Sequence, residues 1–67
     1  MELSARNQLK ASVKSVKVGN VMAEVVLDVG GQEMVAAITK GSVDRLRIRA
    51  GDAVVAIVKA TEVMLGK

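Results

Sequence analysis

Val21-Met22-Ala23-Glu24-Val25-Val26-Leu27-Asp28-Val29-Gly30-Gly31-Gln32-Glu33-Met34-Val35-Ala36-Ala37-Ile38-Thr39 is the stretch that decides the fold. Val21, Ala23, Val25, Leu27 and Val29 alternate with Met22, Glu24, Val26 and Asp28. A period of two marks a strand, because successive side chains of an extended chain point to opposite sides. Gly30-Gly31 then supplies the left-handed backbone angles of a tight hairpin. The return strand, Gln32 to Thr39, carries Met34, Ala36 and Ile38 on one face and Val35, Ala37 and Thr39 on the other. A strand apolar on both faces is covered on both. In so thin a domain, one face can fill the core and the other can meet a neighbouring subunit.

Upstream, Leu9 to Val18 reads as a first strand, with Leu9, Ala11 and Val13 on one side and Lys10, Ser12 and Lys14 on the other. It ends at the turn pair Gly19-Asn20. Val16 and Val18 fall on the opposite parity, which a bulge near Ser15 explains. Downstream, Lys40 to Ala50 loses the period of two. Ser42 suits a helix N-cap, Asp44 the first turn, and Arg45, Arg47 and Arg49 the C-terminal side. Val43 and Leu46, three apart, are expected to share its inner face. Gly51-Asp52 closes this segment, Ala53 to Val58 is an apolar strand, and Val63 to Leu65 is a short final one. The order predicts an all-β protein: a small five-stranded OB-like barrel with one short helix or 3-10 segment, forming one domain over residues 1–67.

The 67 residues are 51% hydrophobic and include no aromatic side chain, Cys, His or Pro. A domain this small buries only about 60% of its unfolded surface, and such domains usually need a staple. Without Cys there is no disulfide, and without Cys or His no structural zinc site is expected. Oligomerisation is the staple that remains. No run approaches the roughly 18 apolar residues of a membrane span. No basic stretch leads into an apolar segment with a cleavage site, so the expected compartment is the cytoplasm. The formal net charge of +3 is mild for a nucleic-acid binder and favourable for small anions.

Three polar blocks carry the candidate chemistry. Ser4-Ala5-Arg6-Asn7-Gln8 puts a hydroxyl and a guanidinium two residues apart, with no carboxylate beside them. In an extended segment Ser4 and Arg6 project from one face, and the arginine fork suits an oxyanion. The plainer reading makes Ser4 a turn residue and Arg6 a solvated charge. Thr39-Lys40-Gly41-Ser42 gathers hydroxyls at a strand-to-helix junction, which serves either an anion or simple capping. Lys59-Ala60-Thr61 follows an apolar strand, where a lysine can equally be a snorkelling edge residue.

The opening block, together with Ala36-Ala37-Ile38-Thr39-Lys40-Gly41-Ser42-Val43 and Val58-Lys59-Ala60-Thr61-Glu62-Val63-Met64, resembles the molbindin family over essentially the whole chain. These are small molybdate-binding proteins, also called molybdenum-pterin binding proteins, built from a single Mop (TOBE-type) domain. The resemblance implies that Ser4, Ala5, Arg6, Lys59 and Ala60 of one subunit hold an oxyanion, with Ala60 acting through its backbone. Thr39 and Ser42 of the adjoining subunit complete the site. It further implies a homo-oligomer, a hexamer arranged as a trimer of dimers, and a second oxyanion site where copies of Lys40, Gly41 and Ser42 converge on a symmetry axis. The ligand would be molybdate or tungstate, a tetrahedral oxyanion taken intact, with no direct protein–metal bond. The role would be intracellular molybdenum storage or homeostasis.

Other classes fit less well. A nucleic-acid-binding OB module has the architecture and the positive charge, but this chain has no aromatic ring on which a base can stack. A transport-associated regulatory domain would carry the same blocks. An enzyme would need a general base near Ser4, Thr39 or Ser42, and no His, Cys or carboxylate pair stands by them. Met22, Met34 and Met64 lie in apolar strands and read as packing residues.

Overall fold

The computed structural model describes residues 3–67. Its elements are β1 (Asn7–Val18), β2 (Met22–Val29), β3 (Gln32–Thr39), helix α1 (Lys40–Leu46), β4 (Ala53–Val58) and a 3-10 turn at Ala60–Glu62. The four strands form one antiparallel sheet in the order β3-β2-β1-β4.

The hairpin follows the alternation. β2 and β3 pair from Val29↔Gln32 to Met22↔Thr39. Gly30 and Gly31 take φ of 58° and 87°, angles that a side chain disfavours. The Asp28 carboxylate accepts from the Gly31 N–H at 2.8 Å. The bulge in β1 also forms: Val13 pairs with Leu27 and Ser15 with Val26, leaving Lys14 as the extra residue. β1 gives its first half to β4, from Asn7↔Val58 to Ser12↔Ala53. Its second half belongs to β2.

Ala23, Val25 and Leu27 from β2, with Val13 and Val43, form the buried core. Met34, Ala36 and Ile38 of β3 and Val54 and Ala56 of β4 pack against it half-buried. Between the β3 and β4 edges lies an open apolar groove floored by Val13, Val25 and Leu27.

The helix region departs from expectation in three ways. Thr39, not Ser42, is the N-cap; its side chain accepts from the Ser42 N–H. No acidic residue occupies the first turn, so Asp44 does not act there. Val43 is buried, but Leu46 stands 62% exposed at the groove. A seven-residue helix makes fewer than two full turns, so only one inward position is covered. The fifth strand is also absent. Val63 to Leu65 is not in the sheet, which has four strands and stays open between β3 and β4. The chain turns through the 3-10 segment instead, leaving Met64 and Leu65 more than 90% exposed.

Helix α1 ends at Arg47, the one described non-glycine residue with positive φ, at 54°. A side chain in this left-handed cap position carries a steric cost that glycine avoids. Arg47→Gly is therefore expected to stabilise the fold by about 0.5–1 kcal/mol, and β-branched Arg47→Val to destabilise it by about 1–2 kcal/mol. Urea midpoints at fixed protein concentration test the opposite signs.

Candidate oxyanion site

Strand register places the polar blocks. Asn7↔Val58 is the last pair of the β1–β4 ladder. Arg6 and Lys59 each adjoin that pair, so two cations stand on neighbouring strand ends. Ser4 and Ala5 lie just before them, and Ala60 opens the 3-10 turn just after. Ser4, Arg6, Lys59 and Ala60 are exposed and Ala5 is half-buried. The first and third sequence blocks thus meet at one end of the sheet.

The second block sits elsewhere. Thr39 ends β3 opposite Met22, where β2 begins, and β2 pairs there with the far end of β1 (Val18↔Ala23). The Thr39 hydroxyl donates to Ser42 Oγ at 2.8 Å and accepts from the Ser42 N–H at 3.1 Å. With that acceptor role taken, the Ser42 O–H is free to donate outward. Gly41 leaves open space where a Cβ would be. Lys40 Nζ lies 3.7 Å from the Asp44 carboxylate, an exposed i,i+4 pair of small worth.

Between the two clusters run the 12 residues of β1, on the order of 30–40 Å of strand at about 3.3 Å per residue. The longest dimension of the molecule is 34 Å. Hydrogen bonds to one anion reach roughly 3 Å. A single chain therefore brings Ser4, Arg6, Lys59 and Ala60 together, and separately Thr39 with Ser42, but does not unite the two groups. Among the described residues, no group of three or more His, Cys, Asp or Glu gathers to hold a cation. Spacing alone points to no role for Gln8, although it lies within the opening block. Its Nε2 donates to the Ala5 carbonyl at 2.7 Å.

This architecture has close relatives. Residues 3–65 match the TOBE domain family. A molybdate-binding protein from Sporomusa ovata is 51% identical, superposes with a TM-score of 0.95, and is matched over 100% of both chains. Molybdenum-pterin-binding protein 2 of Clostridium pasteurianum is 46% identical over 66 residues, 97% of each chain. The cytoplasmic molybdate-binding protein ModG, in a crystal form with molybdate bound, is 44% identical with a TM-score of 0.85, over 90% of this chain and 43% of that one. The chain belongs to the TOBE domain family and, within it, to the group of the molybdenum-pterin-binding proteins.

The Thr39–Ser42 pair makes a direct prediction. Thr39→Ala removes the helix cap and should destabilise the protein by about 1 kcal/mol, whereas Thr39→Ser keeps the acceptor and most of the stability. Thermal unfolding of the two variants beside the parent checks this.

Proposed function

We propose that this protein binds molybdate or tungstate as an intact tetrahedral oxyanion at interfaces between copies of itself. The observation that carries the reading is the pair of donor clusters at opposite ends of one sheet, each an incomplete site. Arg6 and Lys59 supply positive charge and Ser4 a hydroxyl, with Ala5 and Ala60 contributing backbone groups. Thr39 and the outward Ser42 hydroxyl of an adjoining subunit close the far side. Such an anion keeps its oxo groups, so it needs hydrogen bonds and charge rather than His or Cys ligands. Charge-assisted bonds are roughly twice as strong as neutral ones, and an interface that excludes water strengthens them. The molybdate named for the Sporomusa ovata protein and ModG supports this ligand class.

Self-association has its own support. The chain exposes 5598 Å², whereas a compact monomer of 7.0 kDa exposes roughly 4,000 Å². The excess is of the order that a large interface buries. The uncovered groove and the exposed Val35, Ile57, Met64 and Leu65 supply apolar area for it. The assembly is a hexamer built as a trimer of dimers, a number resting on the resemblance to molbindins. In that hexamer Lys40, Gly41 and Ser42 of several copies meet on a symmetry axis as a second class of site. The chain is a binding protein, not an enzyme, and stores or buffers molybdenum in the cytoplasm. No helix among the described residues is long and apolar enough to cross a membrane.

Ligand that binds only the assembled, folded state stabilises it by about 2.7 kcal/mol per site at a hundredfold excess over Kd. Molybdate and tungstate are expected to raise the melting temperature strongly, and sulfate less. Arg6→Ala should remove most of that rise and leave the ligand-free protein folded, since it takes away a charged partner and no core volume. Lys59→Ala should weaken it too. A full shift retained in Arg6→Ala would overturn the assignment of the opening block. Native mass with elemental analysis should give six chains and more than six molybdenum atoms per particle. A folded monomer at micromolar concentration would remove the basis for shared sites.

A further inference from the structure

We propose that Gln8 is a positioning residue that sets the geometry of the Ser4–Arg6 stretch before the anion arrives. This rests on the oxyanion reading of that stretch. The β1–β4 ladder begins at Asn7, so residues 4–6 lie beyond backbone pairing, and Ser4 and Arg6 sit at bends. Among the described residues, one side-chain hydrogen bond reaches back across that boundary: Gln8 Nε2 to the Ala5 carbonyl, 2.7 Å. Gln8 itself is held in register opposite Ile57. The carboxamide therefore ties a free segment to a strand that the sheet already holds.

Two physical effects follow. An untethered segment samples many backbone angles, and each residue ordered on binding subtracts from affinity. The tether moves part of that ordering into folding. In addition, the Ala5 carbonyl is an acceptor between two groups meant to donate, and an oxyanion near it would be repelled. A glutamine amide group has two N–H donors, and one of them occupies that oxygen. The bond is exposed and touches none of the buried core. Its loss should be read in ligand affinity, with little change in fold.

The test uses the full chain and calorimetric titration with molybdate. Gln8→Met keeps the side-chain length and removes the donor. It is expected to weaken binding about three- to tenfold, the range of one neutral hydrogen bond, with the ligand-free melting temperature and native mass unchanged. In an Arg6→Lys background, where the arginine fork that the tether aims is gone, the same substitution should have much less effect, giving a positive coupling in the double-mutant cycle. Gln8→Met binding molybdate as tightly as the parent would overturn the assignment, as would an equal loss in both backgrounds. A drop in ligand-free melting temperature that accounts for the loss would make Gln8 a fold residue and overturn it too. A parent protein that takes up no molybdate would instead overturn the functional reading, and this assignment with it.

Discussion

β1 belongs to two ladders, and the rest of the molecule depends on how it passes from one to the other. Its first half pairs with β4 and its second with β2; the two ladders overlap at Ser12, and Lys14 is the bulged residue just inside the β2 ladder. At that point Val13 donates its N–H to the Asp52 carbonyl at 2.9 Å and accepts from the Gly51 N–H at 2.8 Å. Backbone groups at a bulge that would otherwise lose partners are satisfied by the turn before β4. Gly51 takes φ of 93° to make that turn, and Asp52 braces it by accepting from the Arg49 N–H at 2.8 Å. The switch keeps Val13 buried beside Val25 and Leu27. It also sets the Arg6–Lys59 end of β1 apart from the end where β2 meets Thr39 of β3.

Much of this was legible because it is local. Alternation over Val21–Val29 and the Gly30-Gly31 pair gave β2 and β3 to within a residue, since period and turn chemistry are written in adjacent positions. The parity change at Val16 and Val18 gave the bulge for the same reason. The helix cap was ambiguous: Thr39 and Ser42 are both hydroxyls at a strand-to-helix junction, and only the backbone angles decide between them. Leu46 and the Val63–Leu65 triplet misled. Apolar character shows that a residue suits burial, while burial needs a surface within reach, and one chain offers these residues none.

The candidate site divides similarly. Each block could be read as anion-binding or as plain surface chemistry, and resemblance to molbindins, more than spacing, favoured the former. That Arg6 and Lys59 adjoin the same strand pair depends on register between segments about fifty residues apart, which no local pattern records. Gln8 carries an amide donor, but its target is the Ala5 carbonyl, and sequence does not show where a carbonyl points.

The pairing of Asn7 with Val58 has a kinetic consequence. The β1–β2–β3 meander closes short loops, whereas the β1–β4 ladder joins nearly the two ends of the chain. Loop-closure entropy makes it the costlier contact to form and favours its arrival late in folding. Its outer end, with no pair beyond Asn7 and Val58, is also where fraying begins. A dianion gripped by Arg6 and Lys59 would clasp that seam from outside. The cargo would then slow the opening of the chain that carries it.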